Sequence, residues 1–186
     1  MLAPRSKLLH IRFILLYSCG FAVGILWVFL LFIMPVSAAV DVDTCLRSGV
    51  EKLKAGDYHA ALIDFSKAID ADPKNAMAYR YRGVAKVRFG DFKGSIIDYD
   101  KSIELNSTLS NSYGSRGIAK ARIGNLPGAI LDFEAAIELN PTDGEAFFNH
   151  GIAIVMSNQL PMACADWMEA KKLVSTQAIL FRRKCC

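Results

Sequence analysis

Residues 76–109 read AMAYRYRGVAKVRFGDFKGSIIDYDKSIELNSTL, and residues 110–143 repeat the pattern as SNSYGSRGIAKARIGNLPGAILDFEAAIELNPTD. The two stretches align without a gap, and the same pattern extends back to residue 42 and forward to residue 173. A fixed period of about 34 residues is typical of stacked copies of one supersecondary unit. The period therefore predicts the fold before any single residue is considered.

The recurring positions indicate two helices per unit. Apolar residues follow the spacing i, i+3, i+4 and i+7 in each half of the unit, whereas no stretch alternates with a period of two over a strand's length. Asp72-Pro73 ends the second helix of the first unit, because proline disfavours helix in the residue before it. Three sets recur once per period: Gly49, Gly83, Gly117 and Gly151; Gly56, Gly90 and Gly124 with Asn158 in the fourth place; and Phe65, Tyr99, Phe133 and Trp167. An all-α fold follows.

Four units are predicted, at residues 42–75, 76–109, 110–143 and 144–173. In the first unit we predict helices over 43–55 and 58–71, joined by a turn at Gly56-Asp57. Residues 174–186 are predicted to form a capping helix, from Thr176 to Lys184, and a short cysteine tail.

This pattern resembles the tetratricopeptide repeat (TPR) family. Four of the family's characteristic positions are filled in phase: small residues at the eighth (Gly49, Gly83, Gly117, Gly151) and twentieth (Ala61, Ser95, Ala129, Ala163), an aromatic at the twenty-fourth (Phe65, Tyr99, Phe133, Trp167), and Ala or Ser at the twenty-seventh (Ala68, Ser102, Ala136, Ala170). Proline at the thirty-second position is present in Pro73 and Pro141 and replaced by Ser107. Cys45 departs from the bulky fourth position held by Tyr79, Tyr113 and Phe147, as terminal repeats often do. The resemblance implies an α-solenoid of four helix-turn-helix units.

The resemblance also implies that the first helices line a concave groove that binds a peptide or protein partner. The family's groove-facing places give Leu46, Val50, Lys54, Met77, Arg80, Val84, Arg88, Ile118, Arg122, Phe148, Ile152 and Met156. Of these, the candidate partner-binding residues are Lys54, Arg80, Val84, Arg88, Ile118, Arg122, Phe148 and Ile152. The subfamily that binds acidic chaperone C-termini has Lys and Asn where this chain has Leu46 and Val50, so that function is not carried over.

Three of the groove bases hold the same place in successive units. Lys54, Arg88 and Arg122 are predicted to align in one file, and an aliphatic floor beside them favours an extended acidic-hydrophobic peptide. The alternative is that these three bases are simply solvated side chains, which recur every 34 residues because the whole repeat does.

The N-terminus predicts a membrane segment. Residues 1–12 are basic, and residues 13–34 form an uncharged apolar run of 22 residues, enough to span a bilayer as a helix. Basic flanks stay in the cytoplasm, so the repeats are expected in the periplasm, lumen or exterior. Residues 35–41 form a linker with a possible signal-peptidase site after Ala38 or Ala39. Two interpretations stay open: an uncleaved single-pass anchor, or a cleaved signal that leaves a secreted or lumenal protein.

The cysteines beyond this segment are Cys45, Cys164, Cys185 and Cys186. An exported domain meets oxidising conditions, which favour disulfides. A capping helix antiparallel to the last repeat helix brings the chain's end toward Cys164, so we predict a bond from Cys164 to Cys185 or Cys186. The alternative is that Cys164 is a buried apolar residue, since Leu62, Ile96 and Ile130 hold the equivalent places.

Charge and motif content limit the classes of function that fit this sequence. Three of the 22 basic residues precede residue 41, which leaves 19 bases and all 18 acids in residues 41–186. The repeats are therefore nearly neutral and lack the basic face of a nucleic-acid binder. The histidines have no metal-ligand spacing, and the glycines are periodic and not a phosphate-binding loop. We therefore predict no enzyme, no cofactor and no metal site. Asp64, Asp98, Asp132 and Asp166 share one place and are predicted to pair with bases on the first helices.

The leading hypothesis is a non-catalytic protein–protein interaction scaffold tethered to, or exported across, a membrane. The alternative is a structural assembly factor, or a non-catalytic subunit of a membrane complex, that docks through its convex face. The two differ in which face of the array contacts the partner.

Overall fold

The computed structural model describes residues 41–158 and 160–173. Every regular element in these residues is a helix, so the prediction of an all-α fold is confirmed for them. The helices are α1 (Val42–Ala55), α2 (Tyr58–Ala71), α3 (Ala76–Phe89), α4 (Phe92–Leu105), α5 (Ser110–Arg122), α6 (Leu126–Leu139), α7 (Gly144–Met156) and α8 (Leu160–Lys172). The predicted helices over 43–55 and 58–71 are confirmed within a residue.

Two predicted segments, the membrane segment at 13–34 and the capping helix within 174–186, lie outside the described residues. Within residues 41–158 and 160–173, none of the helices has the length and apolar character needed to cross a membrane.

Local side-chain chemistry sets where the helices begin and end. Asp57 caps α2, its carboxylate accepting a hydrogen bond from the Ala60 amide at 3.0 Å. Gly56 ends α1 with a φ of +83° and donates its amide to the last carbonyls of the helix. Asn158 takes the same left-handed conformation, with a φ of +68°, in the fourth turn. This requirement explains why the turn position holds glycine three times and then asparagine.

Within each unit, the recurring aromatic ring rests on the recurring glycine of the first helix. A Cβ built on Gly83 would lie 2.7 Å from Tyr99 Cε1, and one on Gly117 would lie 2.8 Å from Phe133 Cε1. The rings are buried. Only glycine therefore lets the two helices approach closely enough to enclose the ring.

The units stack in chain order, each helix packing against the next. The first helices also contact one another, α1 with α3, α3 with α5 and α5 with α7. We call the side lined by α1, α3, α5 and α7 the first-helix face, and the side lined by α2, α4, α6 and α8 the second-helix face.

A polar ladder, formed by Asp64, Asp98, Asp132 and Asp166 with their partners, ties the two helices of each unit. Asp132 accepts two hydrogen bonds from Arg116, at 2.9 and 2.7 Å, and pairs with Lys120 at 2.8 Å. Asp98 is held in the same way by Arg82 and Lys86, and Asp64 by Ser48 and Lys52. The predicted ion pairs are thus confirmed in the first three units.

The fourth unit carries a weaker version of the ladder. His150 replaces the arginine and contacts Asp166 through Nδ1 at 3.0 Å, while Ile154 replaces the lysine. In the third unit, Arg116 also reaches back to Asp100 of the preceding unit at 2.6 Å. The ladder therefore links neighbouring units as well as the helices within one unit.

Candidate functional site

Clefts open on the first-helix face of residues 41–158 and 160–173. The first, of about 420 Å³, lies between units 1 and 2. Its lining is Leu46, Arg47, Val50, Glu51, Lys54, Met77 and Tyr81. The second, of about 560 Å³, is lined mainly by units 2 and 3 and reaches Tyr58 of unit 1 and Glu145 of unit 4. Its lining is Tyr58, Val84, Val87, Arg88, Phe92, Tyr99, Ser115, Ile118, Arg122 and Glu145.

Between units 1 and 2, aromatic side chains fill the junction. Tyr81 stacks on Phe65, with ring centroids 5.6 Å apart and an interplanar angle of 16°. The Arg80 guanidinium lies over the Tyr81 ring of this stack, 4.3 Å from its centroid. Arg80 and Tyr81 therefore act as packing residues, and the first cleft lies beside them.

Between units 2 and 3, the same places hold small residues. Gly114 and Ser115 stand one period after Arg80 and Tyr81. Ser115 faces Tyr99, the buried equivalent of Phe65, and both residues line the second cleft. The lack of a ring at this junction accompanies the larger of the two clefts.

The Tyr99 hydroxyl is neutral at the base of the second cleft. Burial raises the pKa of Tyr99 well above its ordinary value, and the interaction with the Ser115 side chain opposes that rise only in part. Positive charge on Arg80 and Arg88 acts in the same opposing direction. The hydroxyl is therefore protonated at physiological pH and can both donate and accept a hydrogen bond.

The arginines of the second cleft have no acidic partner in the described part of the chain. Neither Arg88 nor Arg122 forms an ion pair within residues 41–158 and 160–173, and both are exposed. Glu145 lines the same cleft from the first turn of α7. With two cations and one anion, the cleft carries a net positive charge that suits an acidic ligand.

The structure brings together four of the predicted partner-binding residues. Val84, Arg88, Ile118 and Arg122 line the second cleft. Lys54 lines the first cleft instead, so the three predicted bases are divided between two clefts.

Two of the predicted partner-binding residues, Phe148 and Ile152, serve in packing. Phe148 is buried in a core cluster with Ile154 and Trp167, and Ile152 packs against that cluster. The final unit closes around Phe148, so its ring is not at the surface of the groove.

Sequence reasoning missed several residues of the second cleft: Tyr58, Val87, Phe92, Tyr99, Ser115 and Glu145. One signal was present in the sequence. Among the four recurring aromatics only Tyr99 carries a hydroxyl, and its partner place in the next unit, Ser115, is small where Tyr81 is large.

The two cysteines in the described part of the chain differ in oxidation state. Cys164 is disulfide-bonded, whereas Cys45 is free and half-buried in the first unit. The predicted partners, Cys185 and Cys186, lie outside the described residues, so the bond from Cys164 to either of them stays a prediction.

Residues 46–109 match the family model described as tetratricopeptide repeat. No curated protein matches the chain. Among solved structures, a crystal structure of MamA shares 22% identity, covering 72% of this chain and 78% of MamA with a TM-score of 0.67. The first TPR of Spaghetti (RPAP3), bound to the HSP90 peptide SRMEEVD, shares 26% identity over 66% of this chain and 99% of that one, with a TM-score of 0.62.

The Arabidopsis OM64 TPR domain is also similar, at 21% identity over 62% of this chain and 95% of that one, with a TM-score of 0.61. Identities this low establish likeness of fold alone, and no enzyme family is indicated by any of these matches. With its recurring glycines, aromatics and helix pairs, the described array is a TPR-like α-solenoid whose residues 46–109 match the tetratricopeptide repeat family.

Proposed function

We propose that this chain is a non-catalytic protein–protein interaction scaffold that holds an extended segment of a partner against its first-helix face. The observation that carries the proposal is the second cleft, where unpaired Arg88 and Arg122 lie beside the aliphatic side chains of Val84 and Ile118. Such a surface offers both charge and apolar area to a peptide, and the two arginines form no ion pair within the described part of the chain.

The chemistry of the cleft favours an acidic-hydrophobic partner segment. Hydrogen bonds from arginine to carboxylate are about twice as strong as neutral ones, and burial of an apolar side chain adds about 1.5–3 kcal/mol. The similar TPR of RPAP3 is bound to a peptide that contains two glutamates and an aspartate. This likeness supports the mode of binding, while Leu46 and Val50 argue against the same peptide as the ligand of this chain.

We infer that the array works outside the cytoplasm. The basic residues 1–12 and the apolar run at 13–34 support a single-pass tether, and the small residues before Ala39 support release by cleavage as the alternative. The disulfide at Cys164 supports an oxidising compartment, because such bonds are rare in the cytosol. The repeats would thus bind their partner in the periplasm, lumen or exterior.

A second candidate function rests on the second-helix face. Ile63, Ile97 and Leu131 hold the same place in units 1, 2 and 3 and are 45%, 67% and 66% exposed. Three large apolar side chains in one exposed file favour docking to another protein. This observation supports a structural assembly factor, or a non-catalytic subunit of a membrane complex, that docks through the second-helix face.

Affinity capture of the full chain from its membrane tests the first proposal against the second. Substitution of Lys54, Arg88 and Arg122 by Glu should abolish capture of the partner and leave the helical content unchanged, because these three exposed bases line the two clefts. The matched control replaces three exposed lysines away from those clefts, Lys74, Lys93 and Lys172, by Glu and should retain the partner. Capture that survives the first set at physiological salt would contradict the proposal.

A further inference from the structure

The junction between units 2 and 3 differs from the junction before it at two neighbouring places. In the earlier junction, Tyr81 stacks on Phe65 and Arg80 covers Tyr81. In the later one, the chain supplies neither a ring nor a guanidinium there, since Gly114 and Ser115 hold those places. A Cβ built on Gly114 would have only one neighbour within 4 Å, Ala136 Cβ of the same unit at 3.9 Å. Of these two places, Ser115 lines the second cleft.

The opened space has the size and lining of a ligand site. Its volume of about 560 Å³ lies within the range of about 300–1,000 Å³ that ligand pockets occupy. Aliphatic and aromatic side chains, among them Val84, Val87 and Phe92, form most of its wall.

The charged side chains of the second cleft differ in sign between its two ends. Arg88 and Arg122 lie in the last turns of α3 and α5, and Glu145 lies in the first turn of α7. Helices joined by short turns run antiparallel, so the first helices of successive units are parallel to one another. The cleft is therefore basic at the end where α3 and α5 finish and acidic at the end where α7 begins.

We propose that the second cleft binds an aromatic side chain of a partner segment, and that an acidic residue next to this aromatic contacts Arg88 and Arg122. Ser115 determines this specificity, because its small side chain leaves space for the aromatic ring. The inference rests on the proposed peptide-binding function and adds to it the location and the sequence character of the ligand. Aromatic residues in well-enclosed pockets commonly dominate the energy of protein interfaces. Glu145 disfavours an acidic residue on the other side of the anchor.

The test uses the full chain in detergent micelles and a displayed library of random linear peptides as the probe. Enriched peptides should contain an aromatic residue with Asp or Glu to one side of it. Ser115→Tyr places in this junction the ring that the preceding junction already accommodates, and it should weaken binding of an enriched peptide at least about tenfold, the loss expected of a buried anchor. Ser115→Ala keeps the space open and should leave binding unchanged.

The matched control is Asn149→Tyr, which adds a ring at the same place one unit later and should leave binding unchanged. Circular dichroism should show equal helical content in all variants. Unchanged binding to Ser115→Tyr, an equal loss in Asn149→Tyr, or enriched peptides without aromatics would each overturn the inference. The proposed function itself fails if no peptide is enriched. It also fails if the enriched peptides bind equally well to the wild-type chain and to the variant in which Lys54, Arg88 and Arg122 are all replaced by Glu.

Discussion

Replacing Asp132 by Asn should be among the most damaging polar substitutions in the array. The Asp132 side chain is 5% exposed and receives three charge-assisted contacts, two from Arg116 and one from Lys120. Asparagine has nearly the same shape but no charge, so the change leaves two cations without their main partner. The Arg116 and Lys120 side chains are only 17% and 19% exposed, which limits their compensation by water.

The magnitude follows from how buried these groups are. Breaking one side of a buried ion pair costs about 3–5 kcal/mol. Arg116 keeps its contact with the exposed Asp100 at 2.6 Å, which lowers the expected cost of Asp132→Asn to about 3 kcal/mol, the bottom of that range. The matched control is Asp64→Asn, because its partner Lys52 has a side chain that is 38% exposed. The control should cost about 1 kcal/mol, as expected for the loss of a more solvated pair.

Urea unfolding of the full chain in mild detergent, followed by helical circular dichroism, measures both free energies of unfolding. Repeat arrays can unfold in stages, so the two variants are compared through both the midpoint and the slope of the transition. Equal costs for the two substitutions, or a cost below about 1 kcal/mol for Asp132→Asn, would refute the claim that burial of the polar ladder determines its contribution.

Three further predictions concern packing, pH and topology. Gly83→Ala should lower the free energy of unfolding by about 1–3 kcal/mol, because the new Cβ would meet the Tyr99 ring at 2.7 Å. Gly114→Ala should raise the free energy of unfolding by about 0.5–1 kcal/mol in the same urea assay, because the new Cβ meets no atom closer than 3.9 Å. Burial would raise the pKa of Asp64, but hydrogen bonds from its partners outweigh this and the pKa is lowered. The ionised Asp64 carboxylate therefore stabilises the fold above the unfolded pKa of about 3.9, and this stabilisation is lost as the pH falls through the lower folded pKa. The difference in free energy of unfolding between wild type and Asp64→Asn should therefore close in that acid range. A difference that is independent of pH would count against this prediction. Protease added after the outer compartment is opened should digest residues 41–186, and digestion of the N-terminus alone would contradict the proposed orientation.

The period of the sequence was sufficient to predict much of the fold. A left-handed turn accepts glycine or asparagine, so Gly56 and Asn158 in phase predicted the turns that the structure shows. Charges of opposite sign recurring in phase, such as Arg116 and Asp132, predicted the ladder, because stacked units bring equivalent residues into equivalent contacts.

The candidate site was predicted only in part, since it depends on where the units differ. Ser115 matters because a ring is missing there, and a pattern of shared positions gives no information about such an absence. Phe148 shares a groove-facing place, yet the core cluster around Trp167 encloses it. Periodicity gives the face on which a residue lies, but only packing shows how far the neighbouring helices bury it.

Site-specific photo-crosslinking tests most directly whether the first-helix face binds the partner. The photoreactive residue p-benzoylphenylalanine would replace Tyr58, an aromatic residue that lines the second cleft, and in a separate variant Ile97, which is 67% exposed on the second-helix face. After irradiation of intact membranes, we expect a partner crosslinked at position 58 and not at position 97, through a segment that contains acidic residues. Crosslinking at position 97 alone would contradict the proposed groove and support docking through the second-helix face.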